Sequence, residues 1–70
     1  MKAVGKTVYK ERVDEAAKIA KERGRIHYTA LAYMLGIGPN LAIMVAKAVA
    51  ETWPQDYAYE DGYLIYRGGH

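Results

Sequence analysis

Apolar and polar positions follow a helical period through the first third of the chain. Over residues 8–23 an apolar face recurs every three or four residues, which predicts an amphipathic helix. Thr7 is the expected N-cap, because its hydroxyl can accept a backbone N–H of the first turn, and Gly24 is the expected end. Residues 1–6 read as a basic lead-in without a pattern. The predicted inward positions are Tyr9, Val13, Ala16 and Ala20, flanked by Ala17 and Ile19.

The pattern then shortens to a strand and a first short helix. Residues 25–28 are too few for a helix and contain Ile26, so they predict a short strand. A helix follows over residues 28–35 and ends at Gly36, which can take a positive φ at a helix C-cap. Its predicted inward positions are Tyr28, Leu31, Ala32 and Leu35.

A further helix is predicted over residues 39–52. Pro39 suits the first helical position, with Gly38 tolerated as the N-cap before it. The helix must end before Pro54, since proline disfavours helical geometry at the residue preceding it. Trp53 is then placed as a lid on the core. The predicted inward positions are Ala42, Val45, Ala46 and Val49.

The strongest local signal is a β-hairpin over residues 57–67. Two β-rich runs flank Asp61-Gly62, a favoured type I′ turn. Direct pairing sets Tyr59 against Leu64 and Tyr57 against Tyr66, with Ala58 and Ile65 on the opposite face. A hairpin is marginal alone, so the strand around Ile26 is expected to complete the sheet. The tail, residues 68–70, is expected to fray.

Length and charge refine this picture. Seventy residues predict a single domain of α+β class, with three helices and a small antiparallel sheet. The net charge is +2, but residues 1–25 carry eight Lys or Arg against four Asp or Glu. Opposite charges recur at four-residue spacing on the first helix, so its cations are expected to be mostly paired and to form a solvated face.

An uncharged run of nineteen residues, from Tyr28 to Ala46, has the length of a membrane span. Gly36 and Gly38-Pro39-Asn40 interrupt it, so two short helices are the preferred interpretation. The chain has no cysteine and shows no apolar signal-peptide run near Met1, from which we expect a cytoplasmic protein. Few amides with abundant Lys, Glu and Tyr are typical of a thermophilic source.

The order helix, strand, helix, helix, strand, strand resembles the winged helix-turn-helix family, in its small stand-alone prokaryotic or archaeal form. Residues 31–39, Leu-Ala-Tyr-Met-Leu-Gly-Ile-Gly-Pro, look like the family's Leu-Ala-x-x-Leu-Gly-Ile-Ser-Pro segment, with Gly38 where serine is usual. Ala42 occupies the small position where the last helix crosses the one before it. Gly62-Tyr63-Leu64 resembles the turn and returning strand of the wing.

The resemblance implies a duplex-DNA-binding protein, a small transcriptional regulator acting as a homodimer. The last helix would enter the major groove, with Asn40 pairing with adenine and Lys47 reaching a phosphate or guanine. Thr29, at the start of the middle helix, and Arg67, in the wing, would contact phosphates. The nucleic-acid-binding residues implied in this way are Thr29, Asn40, Ile43, Met44, Lys47 and Arg67.

An alternative function is a winged-helix protein-interaction module. Three of the five residues expected to point outward from the last helix are apolar, and the wing tip, Glu60-Asp61, is acidic. A small domain seldom exposes a contiguous apolar patch without use. The candidate protein-contact residues are Tyr33, Met34, Leu41 and Met44; a shifted helical phase or cover from the N-terminal segment would instead bury them.

Catalytic and metal chemistry are not indicated. The chain has no serine and no cysteine, and no nucleophile–base pair is recognisable. His27 is best interpreted as a strand-end or N-cap histidine, and Glu60 and Asp61 as turn residues. We therefore expect no enzymatic activity, no metal and no cofactor.

Overall fold

Three helices and three strands follow one another in the predicted order. The computed structural model describes residues 2–68, with side chains over residues 9–68. Predictions for Met1 and for the last two residues of the tail fall outside this range. The elements are α1 (Lys2–Arg23), β1 (Arg25–His27), α2 (Tyr28–Leu35), α3 (Pro39–Thr52), β2 (Tyr57–Glu60) and β3 (Tyr63–Tyr66). The fold is α+β, with a small antiparallel sheet of three strands.

Helix α1 is longer than predicted. It begins at Lys2 rather than at residue 8, so Thr7 lies inside the helix and is not its N-cap. Lys and Ala favour helix, and a glycine such as Gly5 costs only about 1 kcal/mol relative to alanine, so nothing local stops the helix earlier. Its 22 residues make a rod of roughly 33 Å.

The core lies where the three helices meet one face of the sheet. The buried apolar residues include Val13, Ala16, Ala20, Leu31, Leu35, Val45, Ala46, Val49 and Leu64. The Tyr57 hydroxyl donates a hydrogen bond to the Ala17 carbonyl oxygen at 2.9 Å, which ties β2 to α1. Trp53 packs against this cluster, as predicted for a lid.

Two residues predicted to point inward are less buried than expected. Tyr9 is exposed, whereas Val13, one turn further along the same face of α1, is buried. Tyr28 is half-buried, because it opens α2 at the edge of the core beside His27.

The sheet has the order β1-β3-β2, and its hairpin register is confirmed. Tyr57 pairs with Tyr66 and Tyr59 with Leu64. Asp61 and Gly62 have φ values of 53° and 84°, the positive pair that a type I′ turn needs. β1 ends at His27, one residue earlier than predicted, because Tyr28 begins α2.

Within residues 2–68 no single helix is long and apolar enough to cross a membrane. Helices α2 and α3 reach the required length and apolarity only when taken together, and their axes are bent by 105° at the break between them.

Candidate nucleic-acid interface

Helices α2 and α3 are joined by a three-residue turn whose geometry follows from its sequence. Gly36 adopts the left-handed conformation (φ 69°, ψ 36°), and its N–H and that of Ile37 bond carbonyls of the last turn of α2. Gly38 is extended at the N-cap of α3, and Pro39 occupies the first turn. These predictions are confirmed. Together they set the angle at which α3 leaves α2.

The two faces of α3 have opposite environments. Ala42, Val45, Ala46 and Val49 are fully buried, as predicted. The opposite face presents Asn40, Leu41, Met44 and Lys47, all of them exposed.

Ile43 was expected to point outward with these residues, and it is half-buried. It lies about 60° around the helix from Ala46, at the border of the buried stripe. Ile43 is therefore a poor candidate for reading a base edge.

The start of α2 is capped by a histidine. The His27 side chain accepts the Thr29 N–H at Nδ1 (3.3 Å) and lies 2.8 Å from the Thr29 hydroxyl. The Thr29 hydroxyl thus lies within hydrogen-bonding distance of the ring that caps the helix. Thr29 is exposed, as its predicted phosphate contact requires, and its hydroxyl already has this partner within the protein. The N-cap interpretation of His27 is confirmed.

The same histidine fixes the hairpin turn against α2. Its ring lies 4.9 Å from the Tyr63 ring, edge to face. A Cβ at Gly62 would approach His27 Nε2 to 2.9 Å, and the Tyr28 N–H donates to the Gly62 carbonyl at 2.8 Å. These contacts place the hairpin turn beside the start of α2, with exposed Glu60 and Asp61 at its tip.

The cations of α1 are not paired as expected. Among the described side chains the structure contains one ion pair, Arg12 with Glu15 at 3.2 Å. An exposed pair at four-residue spacing gains only about 0.2–0.5 kcal/mol, which is too little to hold two long side chains together.

Two cations lie instead on tyrosine rings. Arg25 lies 4.9 Å from the centre of the Tyr63 ring, and Lys21 lies 5.9 Å from that of Tyr66. Neither contact could be predicted from the sequence, because the first depends on how β1 pairs with β3 and the second on how α1 packs against β3. The strand signal of residues 25–28 did not define that register.

The predicted protein-contact residues are all exposed. Tyr33 has 88% of its surface accessible and Met44 57%, while Met34 and Leu41 have 45% and 38%. Neither a shift of helical phase nor cover by the N-terminal segment conceals these four side chains, which we together call the α2–α3 patch.

Perturbed pKa values occur in the hairpin. Burial, followed by the nearby Tyr66 and Asp56, raises the pKa of Tyr57; burial and then Tyr28 raise the pKa of Tyr59. Both effects accompany packing in the core. In the described part of the chain no three His, Cys, Asp or Glu side chains are grouped as a metal site requires.

Comparisons with known proteins add no relative. No family model matches the chain, and no significant match was found among curated proteins or solved structures. Function is therefore inferred from the geometry of the chain itself.

Proposed function

We propose that this chain is a winged helix-turn-helix protein that binds duplex DNA through α3. The observation that carries the proposal is the exposed face of α3, which projects from a helix pair bent by 105°. Helix-turn-helix units cross at about 90–120° and place their second helix in the major groove. β2 and β3 supply the wing, and the protein acts as a small cytoplasmic transcriptional regulator.

The exposed side chains of α3 offer a small set of base contacts. The Asn40 amide has the donor and acceptor that a bidentate contact with adenine needs. Lys47, about two turns further along, suits a phosphate or a guanine edge. Met44 lies between them and can contact a thymine methyl group.

Charge limits the affinity of one copy. Lys47 is the one cation on the described outward face of α3, and Glu51 follows one turn later. Non-specific DNA affinity comes mainly from the neutralisation of phosphates, so we propose that a homodimer doubles the contacts.

A fluorescence-anisotropy titration of labelled duplex DNA at several salt concentrations tests the proposal. The logarithm of Kd should rise linearly with the logarithm of the salt concentration, because phosphate contacts release counterions. Absence of binding at low salt, or binding without a salt slope, would contradict it.

The second candidate function is a protein-interaction module, favoured by the exposure of the α2–α3 patch. Met44→Lys separates the two. The added charge should spare or strengthen DNA binding, whereas it should break an apolar protein contact. Gln55→Lys, an exposed loop position outside the patch, is the matched control. If Met44→Lys abolishes DNA binding while folding and oligomeric state are unchanged, the assigned surface is wrong.

A further inference from the structure

The open end of the hairpin meets the end of α1 in a cluster of cations. The Tyr66 N–H donates to the Gly24 carbonyl at 2.8 Å, so Arg67 lies next to Gly24. Arg23 and Arg25 flank Gly24 in the chain. All three arginines and Lys21 are exposed. We call this cluster of Lys21, Arg23, Arg25 and Arg67 the basic corner.

Two members of the basic corner are held in place without losing their donors. The Arg25 guanidinium lies over the Tyr63 ring and the Lys21 amine over the Tyr66 ring. A contact between a cation and a ring face needs no hydrogen bond, so the N–H groups can still donate to a ligand. The one ion pair among the described side chains, Arg12 with Glu15, involves none of the four.

Charge is distributed unevenly along the hairpin. Glu60 and Asp61 occupy its turn end, and Arg67 follows its open end, four strand residues or roughly 13 Å from Glu60. Arg25 reaches back towards the turn, because it lies over Tyr63, the register partner of Glu60. The acids closest to the corner are therefore Glu22, Asp56 and Glu60; the Asp56 carbonyl accepts the Arg67 N–H at 2.6 Å. The four cations of the corner face three acids.

We infer that the basic corner binds the phosphodiester backbone of DNA, so that phosphates approach the open end of the hairpin rather than its tip. This inference rests on the proposed function and assigns its phosphate-binding surface. Arginine forks match phosphate oxygens bidentately. Among the described side chains, the exposed large apolar residues are Tyr9, Tyr33, Met34, Leu41 and Met44; none falls within residues 21–25 or 63–67, which separates the corner from a membrane-binding surface.

The test compares the salt dependence of duplex binding for wild type and for Arg23→Gln/Arg67→Gln, which leaves both stacked cations in place. Each phosphate contact contributes about 0.9 to the slope of log Kd against log salt. Loss of two contacts should reduce the affinity change between 50 and 200 mM salt by about 12-fold. Lys10→Gln/Lys18→Gln removes the same charge elsewhere on α1 and should leave the slope nearly unchanged.

Folding is checked by thermal melts, and Arg67→Gln alone, with an expected change of about 3.5-fold, replaces the double variant if that variant unfolds. Duplex binding with the same slope in wild type and the arginine variant overturns the inference and leaves the proposed function standing.

If wild type binds no duplex at low salt, the proposed function fails, and single-stranded DNA and polyglutamate then test the corner alone. Single-strand binding weakened by Arg23→Gln/Arg67→Gln supports a phosphodiester site. Binding of polyglutamate only, or of neither probe, overturns it.

Discussion

Packing within the fold explains the residues on the inner face of α3 but not those on its outer face. Inside, Ala42, Val45, Ala46 and Val49 are fully buried, and the two alanines let α3 lie close to its neighbours. Each inner residue type follows from packing, since interiors are as dense as organic crystals. Outside, Leu41 and Met44 gain little from the fold, yet they stand beside Asn40 and Lys47. This exposed apolar face is the reason for proposing that α3 contacts another molecule.

The largest loss of stability should come from truncating a residue of the core that the inner face of α3 joins. Leu31 of α2 is fully buried against the core, and Leu31→Ala should cost about 2–5 kcal/mol. That approaches the whole stability, about 3–5 kcal/mol, that a core of this size supplies. Leu41→Ala, the same change on the outer face, should cost less than about 1 kcal/mol. Urea denaturation followed by circular dichroism measures both, and equal losses would show that the two faces are not distinct.

The turn that joins α2 to α3 offers a second, smaller contrast. Gly36 has φ +69° with open space around it, so Gly36→Ala should cost about 1–2 kcal/mol through backbone strain alone. Gly38 is extended, and Gly38→Ser adds a capping oxygen that should stabilise α3 by a few tenths of a kcal/mol. Thermal melts show whether each variant raises or lowers the melting temperature. A stabilising Gly36→Ala would mean that the turn is not left-handed at that residue.

Two tyrosines extend the contrast to hydrogen bonding. Tyr57→Phe removes the bond to the Ala17 carbonyl and should cost about 0.5–1.5 kcal/mol, whereas Tyr33→Phe on the outer face should be close to neutral. The unfolding midpoint in urea measures each. Similar losses of stability for the two variants would mean that the hydrogen bond of the Tyr57 hydroxyl does not stabilise the fold.

Tyr57 also predicts a pH dependence. Its pKa is raised in the folded state above the ordinary value of 10.0, so the unfolded chain loses its proton first. The contribution of protonated Tyr57 to the stability of the fold is complete below pH 10. It is lost as the pH rises from 10 through the pKa of Tyr57 in the folded chain. Tyr57→Phe should reduce this alkaline loss, measured as stability between pH 8 and 11. An unchanged pH profile would contradict the assignment.

Local chemistry in the sequence was sufficient to predict much of the fold. Gly36, Pro39 and Pro54 bound α2 and α3, and Asp61-Gly62 sets the register of β2 with β3. Each of these residues restricts its own backbone, so the signal does not depend on distant contacts.

The rest depended on tertiary structure or on weak interactions. Residues 1–6 contain no Ser, Thr, Asp or Asn that would mark the start of α1 in the sequence. Ile43 lies at a border where a small rotation decides burial. The contact of Arg25 with Tyr63 follows from the pairing of β1 with β3, and that of Lys21 with Tyr66 from the packing of α1 against β3. The charge pairs expected on α1 fail because exposed pairs are barely stable. The outward residues Asn40, Met44 and Lys47 could be placed from the helical period, but their partner could not.

The central claim, that the outer face of α3 meets DNA, is tested most directly by amide chemical-shift mapping of the labelled chain with and without duplex DNA. We predict the largest changes at Asn40, Met44 and Lys47, with further changes around Gly24 and Arg67 and small ones at the acidic tip, Glu60-Asp61. Saturating duplex that leaves the exposed amides of α3 unchanged would contradict the account.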